Sequence, residues 1–277
     1  MKTKTEEYYE VETELFDIEK VFDCGQCFRF DPDEKGGFSG VFDGKKYRFV
    51  QEENLLKIYG CNEAEFESKI KYFLSLDRDY RAINEDIISH FGNDRTICRA
   101  IECGQGIRIL RQNPFEALIS FIISQNNNIP RIKKIINSLC RESGEKIGEN
   151  DYAFPDAEAI VWLGEKGLFE LKTGFRAKYI YDAALRVKNG ETNLKYIATL
   201  DTKKAEEELL KIKGVGPKVA ACVLLFGFDK QDNFPIDVWI KRVLEKYYPN
   251  GIDISKLGDY AGLAQQYLFY YERYQNA

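Results

Sequence analysis

The pattern of apolar and polar positions changes near residue 105. Before it, the segment 38–60, FSGVFDGKKYRFVQEENLLKIYG, carries aromatic and β-branched residues on both sides of an Asp-Gly pair, which is a hairpin signal. A helical stretch follows, with apolar residues near helical spacing at Phe66, Ile70, Phe73 and Leu74. We therefore predict that the first hundred residues are mixed and rich in strands.

From residue 105 onward, the pattern is helical throughout. The segment 114–124, PFEALISFIIS, is almost wholly apolar, so we predict that this helix is buried. Gly and Asn residues mark the ends of the helices that follow, and the last predicted helix is DYAGLAQQYLFYYERY at 259–274. This pattern predicts an α+β protein, with a mixed N-terminal domain over 1–104 and a larger, all-α domain over 105–277.

Composition and charge narrow the class of protein. The chain has 277 residues, of which 44% are hydrophobic and 31% charged, as in folded soluble proteins. Residues 1–104 hold 15 Lys/Arg and 23 Asp/Glu, whereas residues 105–277 hold 25 and 22, so we expect any phosphate-binding surface in the second part. Since neither an apolar run of about 18 residues nor an apolar signal core is present, we expect no membrane span and an intracellular location.

The seven cysteines are odd in number and scattered along the chain. We therefore expect free thiols in a reducing compartment instead of a disulfide framework. Cys24 and Cys27 form a CxxC pair, but a zinc site needs two more ligands, and the chain has a single histidine, His90. We expect no metal here, and a metal-binding module on this pair stays an alternative that metal analysis would decide.

The segment 209–222, LLKIKGVGPKVAAC, carries the most information. A helix runs into a glycine-containing turn, and a second helix is predicted to start at Pro217, because proline suits the first helical position. Gly214 and Gly216 permit unusual dihedral angles and close approach of another backbone. Exposed N–H groups at a helix N-terminus can bind a phosphate. The same residues are also compatible with a plain helix–helix turn in any α-protein.

Four segments together resemble a known family. The segment 209–239 resembles the helix-hairpin-helix motif of DNA glycosylases, with its Gly-Val-Gly hairpin and a later Pro-Ile-Asp element. The segment 112–134 resembles the Asn-rich element of the 8-oxoguanine branch, and 24–30 and 260–269 resemble its two base-pocket segments. The resemblance covers most of the chain. It implies an N-terminal antiparallel sheet domain of the TBP-like kind packed on a helical body, with the active-site cleft between them.

The resemblance implies that Lys218 is the nucleophile and Asp237 its catalytic partner. Lys218 is in the first turn of its helix, where the positive end of the helix dipole disfavours an ammonium, and a free amine is a nucleophile. Its attack on the sugar C1′ would expel the base, leave a Schiff base and allow β-elimination. Asp237 is predicted to cap the next helix and to stabilise the positive charge that develops as the base leaves. Without the resemblance, Lys218 is equally suited to contact a phosphate, and Asp237 is equally suited to act only as a cap.

The predicted base pocket consists of Gly25, Cys222, Gln265 and Phe269. Gln265 and Phe269 are four residues apart and share a helix face, so that Phe can stack on a purine while Gln pairs with its Watson–Crick edge. Cys222 shares the face of Lys218. The Gly25 carbonyl could accept from the N7–H that 8-oxoguanine carries and guanine lacks, and such a bond rejects the wrong ligand strongly. An ordinary amphipathic pair and a plain glycine turn are the alternative readings.

Further residues are assigned to DNA contacts by the resemblance. A flipped base leaves a hole in the stack. Asn126 is expected to fill it, Arg131 and Arg176 to bind the orphaned cytosine, and Phe175 to act as the wedge, where eukaryotic members usually carry Tyr. Trp239 departs from the pattern, because eukaryotic relatives carry His there. A helix-capping loop and solvated surface charges are the alternatives for the Asn and Arg residues.

The resulting prediction is a bifunctional DNA glycosylase and AP lyase. It excises 8-oxoguanine, opposite cytosine, from double-stranded DNA through a Schiff base on Lys218. We expect a monomer without an obligate protein partner, membrane contact, metal or cofactor. Two alternatives stay open, namely a helix-hairpin-helix glycosylase with another lesion preference and a DNA-binding scaffold that uses the hairpin without catalysis.

Overall fold

A computed structural model of the chain describes residues 7–275, and it confirms the predicted α+β architecture. The strands in this part of the chain are β1 (Tyr8–Glu12), β2 (Phe30–Pro32), β3 (Phe38–Phe42), β4 (Lys45–Glu52) and β5 (Leu55–Tyr59). They form one antiparallel sheet in the order β1-β5-β4-β3-β2. The helices are α1 (Ile18–Asp23), α2 (Glu63–Glu65), α3 (Lys71–Phe73), α4 (Tyr80–His90), α5 (Arg95–Gly104), α6 (Pro114–Ser124), α7 (Ile129–Ser143), α8 (Ala157–Leu168), α9 (Ala177–Lys188), α10 (Leu194–Thr199), α11 (Thr202–Leu210), α12 (Pro217–Phe228), α13 (Val238–Tyr247) and α14 (Ala261–Gln275).

The predicted hairpin joins β3 to β4. Asp43 and Gly44 both have positive φ, 50° and 72°, which is the turn geometry whose twist matches that of paired strands. The pairing then runs from Phe42 opposite Lys45 to Phe38 opposite Phe49. The helical stretch predicted after the hairpin is also present, as α2 and α3 joined by a π-helical turn at Phe66–Ile70. Its predicted apolar positions are buried.

The described residues form two hydrophobic cores, one behind the sheet and one among the helices. The sheet core contains buried residues of α1, of the strands and of the 66–74 stretch. The helical core contains residues from α4 to α14, and it also includes Cys24 and Phe28 from the segment that leads into β2. Helices α4 and α5 thus pack with the helical core although they precede residue 105. The domain boundary at that residue stays a prediction.

The helices that carry the candidate chemistry are anchored in the helical core. α12 is buried along most of its length, and its Phe226 stacks on Phe121 of α6 with ring centroids 5.4 Å apart. α14 packs closely against α5 at Gly104, where a Cβ would lie only 2.5 Å from the ring of Tyr267 on α14. Since both helices are fixed by apolar packing, the side chains that they direct away from the core have defined positions. Within the described residues, none of the helices is both long and apolar enough to span a membrane.

Candidate active site

A pocket of about 310 Å³ opens between α12, α14 and the segment that leads into β2. This volume is at the lower end of the range for small-ligand sites. The two predicted catalytic residues and all four predicted base-pocket residues line it, namely Gly25, Lys218, Cys222, Asp237, Gln265 and Phe269. Tertiary folding therefore brings together positions that are up to 244 residues apart in the chain.

Lys218 is half-buried in the first turn of α12, after Pro217 at the first helical position, as predicted. Its Nζ lies 3.5 Å from the Ser124 hydroxyl at the end of α6 and 5.7 Å from the ring centroid of Phe121. One turn along α12, burial raises the pKa of the Cys222 thiol, so that this group is uncharged at neutral pH. The amine thus faces a hydroxyl, a ring and a neutral thiol.

Asp237 begins α13 as its N-cap, which confirms the predicted cap. Its backbone is extended, with φ −103° and ψ −170°, and its carboxylate accepts from the backbone N–H of Ile240 at 2.8 Å. A charge-assisted bond of this kind holds a carboxylate in one orientation. Asp237 also lines the pocket together with Lys218. Capping and a role in the pocket are therefore compatible.

Gly25 has a backbone conformation that favours glycine, with φ +79°. A Cβ at this position would lie 3.7 Å from the ring of Phe269, so that a side chain would enter the pocket. Two glutamines hold the segment in place. Gln266 of α14 donates to the Cys24 carbonyl at 2.7 Å, and Gln26 donates to the Arg108 carbonyl at 2.8 Å. Sequence reasoning missed both, although they directly follow Gln265 and Gly25 and are themselves buried amides.

Gln265 is 4% exposed, and its Oε1 has no hydrogen-bond partner within the part of the chain that the structure describes. A buried acceptor without a donor costs about 1–3 kcal/mol. By contrast, the side-chain amide of the next residue, Gln266, has a partner within the protein, the Cys24 carbonyl. The open acceptor of Gln265 therefore indicates a ligand that brings a donor, and the ring of Phe269 lies on the same helix face.

The predicted DNA-contacting residues lie outside this pocket. Asn126 follows α6 with a left-handed backbone, φ 46°, whereas Asn128 caps α7 by accepting from the Arg131 N–H at 3.0 Å. Arg131 is exposed. The pKa of the Arg176 guanidinium is lowered mainly by its burial and further by the positive charge of Arg131, which is therefore nearby. The ring of Phe175 is 50% exposed and lies 4.5 Å from the Arg176 guanidinium carbon. Phe175 thus lies beside the buried Arg176, which contacts the Asn126 turn.

Arg176 holds the Asn126 turn in this structure. It is 3% exposed, its Nε donates to the Gln125 carbonyl at 2.8 Å, and a terminal nitrogen donates to the Asn126 carbonyl at 2.9 Å. A second terminal nitrogen donates to the Thr173 carbonyl at 3.1 Å. A contact with an orphaned cytosine would share or replace these bonds. The role of Arg176 toward DNA therefore stays a prediction.

The hairpin between α11 and α12 is docked against α9. Gly214 has φ +81°, and a Cβ there would lie 2.3 Å from the ring of Tyr179. The backbone N–H of Lys213 donates to the Asp182 carboxylate at 3.1 Å. Gly216 is different, because among the described residues no atom lies within 4 Å of a Cβ built there. Gly214 is thus required for packing against Tyr179, whereas Gly216 leaves an open surface at the N-terminus of α12.

Two alanine substitutions in the hairpin should separate these roles. We expect Gly214→Ala to lower the free energy of unfolding by about 2 kcal/mol, because it imposes strain and a clash with Tyr179. We expect Gly216→Ala to leave stability within about 0.5 kcal/mol and to weaken duplex binding several-fold, because its methyl group would separate the backbone from DNA. Thermal unfolding and titration of a labelled duplex measure both effects. Equal destabilisation by the two variants would contradict this assignment.

Trp239, which departs from the expected histidine, lines the pocket. The guanidinium carbon of Arg242, one turn along α13, lies 4.7 Å from its ring. An arginine on the face of an indole is a favourable cation–π arrangement. The position thus brings a large ring, with a positive charge beside it, to the lining of the pocket.

Cys24 and Cys27 do not form part of a metal-binding group in residues 7–275. Cys24 packs in the helical core, whereas Cys27 packs in the sheet core. Burial raises the pKa of each thiol to about 12, so both thiols are uncharged at neutral pH. Both side chains are thus part of the apolar packing.

The chain matches two known protein families over most of its length. Residues 8–118 match the family described as the 8-oxoguanine DNA glycosylase N-terminal domain, and residues 119–256 match the HhH-GPD superfamily of base excision DNA repair proteins. The N-glycosylase/DNA lyase of Saccharomyces cerevisiae is 32% identical over 259 residues, which cover 83% of this chain and 68% of the yeast protein. The chain belongs to the 8-oxoguanine DNA glycosylase family.

Solved structures of this glycosylase family have the same fold. The apo form of the Clostridium acetobutylicum 8-oxoguanine glycosylase/lyase is 39% identical, with a TM-score of 0.88, over 95% of this chain and 98% of that chain. Its complex with double-stranded DNA containing cytosine opposite 8-oxoguanine is 38% identical, with a TM-score of 0.87, over 98% and 99% of the two chains. The second family match ends at residue 256, so α14, with Gln265 and Phe269, lies beyond both matches and completes the lining of the pocket.

Proposed function

We propose that this chain excises 8-oxoguanine from double-stranded DNA where the lesion faces cytosine, through a Schiff base on Lys218. Glycosylase and lyase activities are those of its family. One observation carries the finer proposal: a single pocket contains an amine at a helix N-terminus, a carboxylate held as a helix cap, and a buried amide oxygen to which no group of residues 7–275 donates.

The first step is capture of the flipped base. A purine that leaves the stack would lie against the ring of Phe269, on the side of the pocket that Cys222 faces. The open Oε1 of Gln265 would accept from the N–H groups of its Watson–Crick edge. The Gly25 carbonyl would accept from N7–H of 8-oxoguanine, whereas the N7 lone pair of guanine would repel it. Recognition therefore depends on two acceptors, the amide oxygen of Gln265 and the carbonyl of Gly25.

The second step is displacement of the base. The neutral amine of Lys218 attacks C1′, and the electron pair of the glycosidic bond passes to N9 of the leaving base, which takes up the proton released by the lysine nitrogen. The Asp237 carboxylate stabilises the positive charge on the sugar during this step. The lone pair of the C1′-bound nitrogen then breaks the C1′–O4′ bond, O4′ takes up a proton from water, and a Schiff base joins Lys218 to C1′. Water removes a C2′ proton, the C3′–O bond breaks with departure of the 3′ phosphate, and hydrolysis of the Schiff base frees Lys218.

We propose that the preference for cytosine comes from the region around Asn126, Arg131, Phe175 and Arg176. The proximity of two arginines beside an exposed ring supports it, since arginine is a common donor to base edges. The Clostridium relative of known structure binds DNA with cytosine opposite 8-oxoguanine. Arg131 is the clearer candidate for the contact, because it is exposed whereas Arg176 is bonded to backbone carbonyls.

Trapping with borohydride on four duplexes, with 8-oxoguanine opposite each base, tests this proposal. We expect the covalent adduct to form fastest opposite cytosine, and Arg131→Gln to reduce that preference about tenfold. Arg141→Gln, an exposed change at the other end of the same helix, is the matched control and should leave the preference unchanged. Equal rates on all four duplexes with the unsubstituted protein would refute cytosine preference, and absence of any adduct would refute the Schiff base.

We also propose that the protein acts on double-stranded DNA as a monomer, inside the cell and without an obligate partner. One chain supplies every residue of the pocket, which supports the monomer. Five of its cysteines are free and buried, which is compatible with a reducing compartment. Light scattering should give the mass of one chain without DNA and of one chain plus one duplex with DNA, and two chains in either sample would contradict this part of the proposal.

A further inference from the structure

One charged residue of the pocket has no part in the steps above. Arg273 lies on α14, four residues after Phe269 and eight after Gln265, and it lines the same pocket. At 3.6 residues per turn these three positions share one helix face, and at 1.5 Å per residue Arg273 is about 12 Å further along the axis than Gln265. Helical spacing in the sequence was therefore a usable signal for this residue.

The guanidinium of Arg273 is held between Gly25 and two aromatic rings. One terminal nitrogen lies 3.9 Å from the position of a Cβ at Gly25. The guanidinium carbon is 5.8 Å from the ring centroid of Phe269 and 4.9 Å from that of Tyr274. Tyr274 is itself fixed, because its hydroxyl donates to the backbone carbonyl of Asp23 at 2.8 Å. The charge thus lies beside the proposed base-stacking ring, two turns beyond the residue that reads the base.

We propose that Arg273 binds a DNA phosphate that flanks the flipped nucleotide. The inference rests on the proposed function, in which the Watson–Crick edge of the flipped base meets Gln265 and the sugar C1′ meets Lys218. A residue about 12 Å further along α14 then faces the sugar–phosphate backbone. The planar guanidinium fork matches the geometry of phosphate oxygens and permits two parallel hydrogen bonds.

The charges around the pocket give Arg273 a specific task. The carboxylate of Asp237 lines the pocket, and Asp23 lies next to its Gly25 segment, where the Tyr274 hydroxyl is 2.9 Å from its carboxylate. Around a second pocket, Asp23 lies with Lys133, Lys134 and Arg141, which supply positive charge on that side. At the Gly25 segment, the two carboxylates would repel a DNA backbone unless a nearby cation offsets them. Arg273 supplies that cation at the Gly25 edge.

A duplex that contains a tetrahydrofuran abasic analogue opposite cytosine is a suitable probe, because it has the phosphates of the substrate but no flipped base and cannot react. We expect Arg273→Gln to weaken its binding about tenfold, as for the loss of one charged hydrogen-bond pair. The slope of log K against log salt should become shallower by about 0.9. Arg273→Lys keeps the charge and should keep most of the slope.

Arg81→Gln is the matched control, since this side chain is 71% exposed outside the pocket and the change removes the same charge. It should leave affinity and slope unchanged. If Arg273→Gln binds the abasic duplex with unaltered affinity and slope, the phosphate contact is overturned. If it weakens binding only for a duplex that contains 8-oxoguanine, Arg273 contacts the base and the phosphate assignment is again overturned.

These outcomes are independent of the Schiff base and of cytosine preference. Binding of the abasic duplex requires neither excision nor a covalent adduct. Failure of the trapping assay would refute the proposed chemistry and leave this measurement intact, whereas failure of the binding prediction would leave the trapping result intact. Melting curves of both Arg273 variants, which alter a partly exposed side chain, establish that each is folded before its affinity is compared.

Discussion

Replacement of Lys218 by glutamine is expected to abolish the trapped DNA adduct and to slow base excision by at least about a thousandfold. Glutamine has a similar length and retains a hydrogen-bond donor toward the Ser124 hydroxyl, but its amide nitrogen is not a nucleophile. Removing the group that forms the covalent bond leaves only binding and electrostatic contributions to the rate. Single-turnover release of 8-oxoguanine and borohydride trapping, on the same duplex, measure the two effects.

Lys203→Gln provides the control for Lys218→Gln. Lys203 is exposed in the first turn of α11, outside the pocket, and its loss changes the net charge by the same amount. It should retain the adduct and the excision rate. Lys218→Gln should still bind the abasic duplex, because its surroundings stay packed. If the adduct persisted in Lys218→Gln, another amine would be the nucleophile, and the mechanism proposed above would be wrong.

Replacement of Asp237 by asparagine has the second-largest expected effect, a decrease of about 100- to 1000-fold in base release. Asparagine is as good an N-cap as aspartate, so the bond to the Ile240 N–H should survive. The substitution therefore removes the negative charge with little change in the free energy of unfolding. Loss of a preorganised group that stabilises transition-state charge has this magnitude in other enzymes. Single-turnover kinetics and thermal unfolding should be measured together.

Asp237→Ala separates capping from chemistry. It removes both the charge and the cap, so we expect the same kinetic loss together with about 1 kcal/mol of lost stability. If Asp237→Asn instead keeps the full rate while Asp237→Ala loses stability, the carboxylate serves only as a cap. That result would return Asp237 to the alternative that its sequence position also allows.

Local rules were enough for much of the fold. The Asp43-Gly44 turn, the start of α12 at Pro217 and the cap at Asp237 each depend on the dihedral preferences or hydrogen bonds of adjacent residues, and each was predicted correctly. Helical spacing also placed Cys222 one turn after Lys218, and Phe269 one turn after Gln265, before their helices were seen. Such features are encoded within a few residues.

The architecture beyond neighbouring elements was less accessible. The first strand, Tyr8–Glu12, pairs with Leu55–Tyr59 across the edge of the sheet, which no local pattern specifies. Helices α4 and α5 join the helical core instead of the sheet core that precedes them in the chain. These choices are made by the total apolar area that each packing buries, and that area depends on the whole chain.

The sequence by itself determined the elements, the helix starts and the pairs of residues that share a helix face, because these follow from the conformations of neighbouring residues. It suggested the family from four short segments, but gave no distance between them. Only the tertiary structure brought Gly25 to Phe269 through the bond between Gln266 and the Cys24 carbonyl, 242 residues apart. It also showed Arg176 bonded to backbone carbonyls, and Arg273 at the pocket edge. Contacts at such separations depend on how the helices rotate and pack against a common core, which local preferences leave open.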